Sequence, residues 1–421
     1  MRRSPTFRAV GKETSLERSK IRILLLEAIH KSAVEQFTDA GYDNIDHVDR
    51  SLADDELARR LRGVHILGIR SRTEVTARAL EHADKLIAVG CFGIGTDQVD
   101  LAAAEIRGIP VFNAPFSNTR SVAELVMAEV IALCRGLPER NAAAHEGRWL
   151  KAVAGATEVR GKTLGIVGYG RIGTQVGMLA EGLGMRVVYH DIEAKLALGN
   201  ASPVGSLDEL LGRADVVTLH VPETPRTFHM IGTEQLARMR KGAKLINAAR
   251  GTVIDIDALV DALASKHLSG AAVDVFPEEP ASNDQEFISP LRRFDNVILT
   301  PHIGGSTTEA QQNIGVEVAA KLVKYSDNGS TVTSVNFPEV TLPEHAGKHR
   351  ILHIHRNQPG MLAQVNAVFS KARINIASQY LETSPRIGYA VIDIDAERPV
   401  SIAIRKELDA IDGTIRTRLL Y

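Results

Sequence analysis

The sequence predicts an α/β protein with two doubly wound parallel-sheet domains and a smaller C-terminal module of βαββαβ order. Three observations predict it. Short apolar runs alternate with amphipathic ones as far as Leu299, one apolar run opens into a glycine-rich turn, and the chain beyond His349 keeps a rhythm of its own. Alternation of this kind implies parallel strands with helices on both faces.

Residues 1–19 are polar and charged and read as a flexible tail. Strand-like runs at 21–26, 65–69, 85–89 and 109–112 then alternate with helical patterns at 31–40, 54–61, 76–82 and 101–107. One long helix is expected over 121–145, with Asn118, Thr119 and Ser121 as cap candidates, and it carries the chain into a second domain. Strand-like runs at 216–221, 244–246, 271–276 and 297–299 join the two that flank the glycine turn, giving about six strands. A helical pattern at 306–325 leads back. The expected division is therefore 20–117 with 307–336, then 118–306, a Pro/Gly/Ser-rich linker at 337–348, and a ferredoxin-like module at 349–421.

The 421 residues carry 44% hydrophobic and 24% charged side chains and a net charge of −1. That balance offers no global attraction to nucleic acid or a membrane surface. No apolar run has the length of a membrane span. Cys91 and Cys134 lack motif-like neighbours, which suits a reducing cytoplasm, and no metal site is expected.

The glycine turn reads Gly168-Tyr169-Gly170-Arg171-Ile172-Gly173. Gly168 permits a tight turn out of a strand, Gly170 lets backbone approach a pyrophosphate, and Gly173 lets the following helix pack close to the sheet. The helix N-terminus favours the phosphate charge. Asp191 ends the next apolar run, near the spacing of about 20 residues at which an acid accepts ribose hydroxyls. Its charge would repel a 2′-phosphate, so the cofactor expected of this Rossmann-like domain is NAD.

Ligands in such sheets bind beyond the carboxyl ends of the strands. There the sequence places Arg250 after Asn247-Ala248-Ala249, an acid in Pro277-Glu278-Glu279-Pro280, and His302 in Thr300-Pro301-His302-Ile303-Gly304-Gly305. Hydride transfer with a 2-hydroxy acid needs these three functions: an Arg to clamp a carboxylate, a His to move a proton, and an acid to orient the His. Glu278 and Glu279 both qualify as that acid. In the first domain Arg70-Ser71-Arg72 ends a strand; two Arg at i and i+2 project to one face, as a phosphate clamp or as solvated surface. Gly93-Ile94-Gly95 offers backbone N–H groups to a substrate carboxylate.

Through GYGRIG, NAARG, DVFPEEP and TPHIGGST the chain resembles the D-isomer-specific 2-hydroxyacid dehydrogenases, in the short bacterial type with a C-terminal ACT domain. The resemblance implies Glu279, the acid directly before Pro, as partner of His302. It implies NAD contacts at Arg171, Ile172, Asp191, Ala248, Ala249, Arg250, Asp274 and His302 to Gly305. It also implies 3-phosphoglycerate as substrate, held by Arg70, Ser71, Arg72, Gly93 to Gly95 and Asn118, with Lys151 reaching a neighbour's site near Trp149 at a dimer interface. In ACT domains that resemble this one, L-serine is bound through residues matching His355, Asn357 and Asn375, in an expected homotetramer. Two other readings are a 2-oxoglutarate or hydroxypyruvate reductase and an NAD-sensing corepressor.

Overall fold

The computed structural model describes residues 16–152, 155–280, 284–345 and 348–421. They divide into two compact units, one reaching Pro115 and resuming with Gln311–Tyr421, the other Phe116–Ala310.

The first unit opens with β1 (Ile23–Leu25), α1 (Lys31–Asp39), β2 (Ile45–His47), α2 (Asp54–Arg60), β3 (Ile66–Ile69), α3 (Ala77–Glu81), β4 (Ala88–Cys91), α4 (Leu101–Ile106) and β5 (Val111–Phe112). The strands are parallel in the order β2-β1-β3-β4-β5. Residues of β1, β3 and β4 are fully buried, as strands covered by helices on both faces must be.

The second unit contains α5 (Thr119–Arg135), α6 (Leu137–His145), β6 (Thr163–Val167), α7 (Arg171–Gly182), β7 (Arg186–His190), β8 (Ser202–Pro203), α8 (Leu207–Arg213) and β9 (Val216–Leu219). It continues through α9 (Thr233–Arg238), β10 (Lys244–Asn247), α10 (Ile256–Ala264), β11 (Gly270–Val273) and β12 (Val297–Leu299). The sheet order β12-β11-β10-β9-β6-β7-β8 reverses direction between β6 and β9. Such a switch point opens a crevice at the strand carboxyl ends.

Helix α11 (Thr308–Asn328) returns the chain to the first unit, which ends with β13 (His349–Arg356), α12 (Met361–Ala372), β14 (Ile376–Thr383), β15 (Ile387–Ile394), α13 (Arg398–Asp409) and β16 (Thr414–Leu420). These strands are antiparallel in the order β14-β15-β13-β16. One face packs Ile351, Ile392 and Leu419 against Phe369, Ile404 and Leu408 of the two helices. The other presents Leu352, Ile354, Tyr389 and Val391 to the core that holds Phe112, Tyr325 and Phe337.

Several expectations are corrected. The long helix over 121–145 is two helices, because Gly136 at φ +57° caps α5 in the left-handed region and Pro138 starts α6. The second sheet has seven strands, the added β8 being two residues long; β2 of the first sheet is an edge strand without full burial and gives no apolar signal. Within the linker expected over 337–348, residues 337–342 are packed chain, with Phe337, Val340 and Leu342 in the core and Thr331 Oγ1 donating to Pro338 O at 2.6 Å. Of the tail expected over 1–19, residues 16–19 are anchored chain: Leu16 packs on that core, and Arg18 grips Asp327 at 3.0 Å. Residues 1–15 lie outside the described residues. Among the described residues no helix is long and apolar enough to cross a membrane.

Candidate active site

The glycine turn has the geometry its residues demand. Gly168 lies at φ +89°, and a Cβ on it would overlap the carbonyl of His220; one on Gly173 would overlap the carbonyl of Gly168. Gly170, by contrast, faces open space and forms the N-cap of α7 with no side chain bonded to the first turn. The helix therefore directs its first N–H groups into an open cradle, which fits a pyrophosphate. Asp191 at the end of β7 accepts N–H of Tyr169 at 2.8 Å through one oxygen and N–H of Glu193 at 3.0 Å through the other. Each carboxylate oxygen keeps a further lone pair for a ribose hydroxyl.

Beyond β10, Asn247 holds the next loop from inside, its amide donating to Arg250 O at 2.9 Å and its oxygen accepting N–H of Ala249 at 3.1 Å. Gly251 runs so close to the Phe276–Pro277 backbone that no Cβ fits there. That contact sets Arg250 beside the loop carrying Glu279. Glu279 accepts from His302 Nδ1 at 2.9 and 3.1 Å and from Phe276 N–H at 3.2 Å. The hydrogen bond and charge of Glu279 outweigh burial and raise the His302 pKa above its ordinary 6.5. Burial pushes Glu279 upward, but His302, the Phe276 N–H and Arg250 together hold it below its usual range. With Nδ1–H given to Glu279, Nε2 is the nitrogen left to exchange a proton.

His302 is itself held at φ +54°, a left-handed conformation uncommon for a residue with a Cβ. Asp274 enforces it. Its buried carboxylate accepts N–H of Ile303 and Gly304, each at 2.8 Å, and Thr300 Oγ1 at 2.6 Å, while its carbonyl accepts N–H of His302 at 2.8 Å. A Cβ on Gly304 would press on Asp274 and Val122, and one on Gly305 on Asn118, the residue preceding α5.

A second acid stands behind this loop. Glu129 lies on the buried face of α5 with Val122, Val126 and Leu133; it is 3% exposed and neither carboxyl oxygen has a hydrogen-bond partner. Burial, then the Asp274 charge, push its pKa up to about 8. Folding therefore keeps a proton that the unfolded chain releases above about 4.5, so stability is lost as pH rises from there toward 8. Glu129→Gln is expected to raise the melting temperature at pH 8 by several degrees, on the order of a few kcal/mol, with the difference closing near pH 5. Equal melting temperatures at pH 8 would refute a buried neutral acid.

In the first unit, the Arg70 loop and the glycine loop are held together. Glu27, in a left-handed conformation at the end of β1, accepts N–H of Arg70, Arg72 and Thr73 at 3.2, 2.9 and 2.9 Å. Gln98 donates to the carbonyls of Arg70 and Gly95, and Asn113 to Ile94 O at 2.6 Å. Glu27, Gln98 and Asn113 were not singled out from the sequence. Glu27 had a signal, an acid ending a buried apolar run. Lys151 and Trp149 are exposed beyond α6, Trp149 at 85%.

In the C-terminal module, His355 at the end of β13 is buried over Gly388, with Nδ1 against Arg356 O and Nε2 unpartnered. Asn357 donates to Ser384 O at 2.8 Å. Asn375 is elsewhere: it precedes β14, whose first residue pairs with Ile394, whereas His355 pairs with Gly388 and Gly388 with Thr383. The length of β14, roughly 25 Å at ~3.3 Å per residue, separates Asn375 from the other two within one chain.

The chain's relatives agree with this chemistry. The NAD-binding domain of D-isomer specific 2-hydroxyacid dehydrogenases matches residues 127–304, and an AHAS small subunit-like ACT domain matches 351–416. The chain is 59% identical over 409 residues to the D-3-phosphoglycerate dehydrogenase of Haemophilus influenzae, covering 97% of this chain and 99% of that one. The same identity holds to the protein of that name in Escherichia coli K12, covering 97% and 100%. The structure is similar to the D-lactate dehydrogenase from Aquifex aeolicus complexed with NAD and lactic acid, with a TM-score of 0.65 at 28% identity, covering 76% of this chain and 100% of that one. With the relatives matched along nearly their whole length and the glycine turn, Arg250, Glu279 and His302 disposed as described, the chain belongs to the D-isomer-specific 2-hydroxyacid dehydrogenase family and is an NAD-dependent enzyme of that family.

Proposed function

We propose that the enzyme oxidises 3-phosphoglycerate to 3-phosphohydroxypyruvate, the entry to serine synthesis, in the cytoplasm. The observation that carries the substrate is the Arg70-Ser71-Arg72 loop, whose two guanidinium groups rise from a backbone pinned on the buried carboxylate of Glu27. A phosphate suits that pair, since guanidinium forks match its oxygens. NAD, when bound, supplies the acceptor for the hydride leaving C2. Arg250 is assigned to the substrate carboxylate and the forming carbonyl, aided by N–H groups of Gly93 to Gly95. His302 Nε2 takes the hydroxyl proton in this direction and returns it in the reverse, while Glu279 stabilises the imidazolium. Ser71, Asn118 and, from a neighbouring chain, Lys151 complete the proposed substrate contacts.

L-serine is the proposed inhibitor, bound by His355 and Asn357 of one chain and Asn375 of another. The strand register supports two chains, because one chain holds these residues at opposite ends of β14. The exposed Leu137, Trp149 and Leu150 support a further interface, and together the two contacts give a homotetramer. The test is steady-state turnover with NAD, with and without millimolar L-serine. NADH formation from 3-phosphoglycerate, faster than from 2-hydroxyglutarate and suppressed by serine, is expected. Preference for 2-hydroxyglutarate would overturn the substrate, and indifference to serine the effector.

A further inference from the structure

Phe116 stands between β5 and α5, in a turn that is fixed on both sides. Its carbonyl accepts the N–H and the hydroxyl of Thr119, at 3.2 and 2.8 Å. Just beyond it, a Cβ on Gly305 would press on Asn118, and the hydroxyls of Ser121 and Thr307 meet at 2.7 Å. The ring itself joins none of the hydrophobic cores of the described residues and is 41% exposed, so core packing does not place it.

What the ring meets is Arg171. The guanidinium carbon lies 3.6 Å from the ring centroid, the separation of two planes in face-to-face contact, and both residues belong to the second unit. Stacking uses the face of a guanidinium and leaves the N–H donors along its edge available. Those donors are uncommitted: among the described residues the Arg171 side chain has no hydrogen bond and no ion pair. Arg171 is also the first residue of α7, directly after Gly170. A cation at that end works against the helix dipole, and the first turn of α7 holds no acid to offset it. The arrangement is unfavourable until an anion reaches the cradle. A mobile arginine would lose rotamer freedom on meeting that anion, whereas one already held against a ring loses less.

We propose that Phe116 is a positioning residue for the dinucleotide, which rests on Arg171 being a cofactor contact. The ring holds the Arg171 guanidinium flat, with its edge donors ready for the pyrophosphate of NAD. A bound dinucleotide displaces water from the cradle, and the stack strengthens with it, as cation–π contacts do when desolvated.

The test is fluorescence titration of the full chain with NADH, which reads binding without turnover. Phe116→Leu removes the aromatic face and is expected to weaken NADH about two- to thirtyfold, the range between exposed and desolvated cation–π contacts. Phe116→Trp is expected to restore the parent affinity. Arg171→Ala is expected to weaken NADH about tenfold or more, as for loss of a charge-assisted hydrogen bond. In that background Phe116→Leu should have no further effect, since the ring acts only through the guanidinium. ADP-ribose, which keeps the pyrophosphate and lacks the nicotinamide, should lose affinity for Phe116→Leu by the same factor as NADH. Parent affinity in Arg171→Ala would overturn the cofactor role of Arg171 and the proposal with it. A loss in Arg171→Ala without one in Phe116→Leu would overturn the role of Phe116 alone. So would a Phe116→Leu loss of equal size in both backgrounds, or one for NADH that ADP-ribose does not share.

Discussion

Replacing His302 with Asn is expected to lower kcat by roughly 10²–10⁴-fold, the range spanned by a lost general acid–base group, with NAD affinity within about threefold of the parent. Asparagine retains a donor toward Glu279 but cannot exchange a proton near neutrality, so the loss falls on the chemical step. A loss of NAD binding without loss of kcat at saturation would remove His302 from its role. The pH profile supplies the second arm. Oxidation requires the neutral ring, so kcat/KM falls as pH drops through the His302 pKa, which Glu279 holds above 6.5. Glu279→Gln removes that support and moves the acid limb to lower pH, while the reductive direction weakens near neutrality because less imidazolium is present. An unmoved limb would mean that Glu279 does not control the proton.

Arg70→Ala is expected to raise KM for 3-phosphoglycerate tens- to thousands-fold, about 2–5 kcal/mol, as for loss of one member of a desolvated, hydrogen-bonded charge pair. The local electrostatics explain the size. Burial and the neighbouring Arg72 weaken the hold of Arg70 on its proton, and Glu27 opposes them with a carboxylate already committed to backbone N–H groups. An arriving phosphate relieves this repulsion. Glycerate, which lacks the phosphate, should show a much smaller change; an equal effect on both acids would sink the phosphate clamp.

The reacting groups were legible in the sequence because each lies within a few residues of a strand end, where local spacing carries the information. The glycine turn, Asp191, Arg250 and His302 are of this kind. What supports them was not legible. Glu27 holds residues 43 to 46 positions away, and Asn113 and Gln98 act through carbonyls whose placement depends on the closed sheet. Asp274, a cofactor contact by resemblance, also carries the loop that bends His302, through bonds to residues 26 to 30 positions away that no local pattern encodes. The break at Gly136 was masked by an apolar periodicity that continues across it. The separation of Asn375 from His355 required the strand register, which no local pattern encodes.

The bond from Tyr169 N–H to Asp191 constrains how this enzyme can change over evolutionary time. A substitution that removed the acid to admit a 2′-phosphate would also leave the Tyr169 N–H without its acceptor, so that the turn is held to β7 only through the Gly168 N–H on His190 O. Cofactor preference and turn geometry are thus inherited together, and a lineage moving toward NADP must first acquire another acceptor for Tyr169. Single-step switching at position 191 is expected to give poor enzymes with either nucleotide, and the successful route passes through a compensating change in the turn.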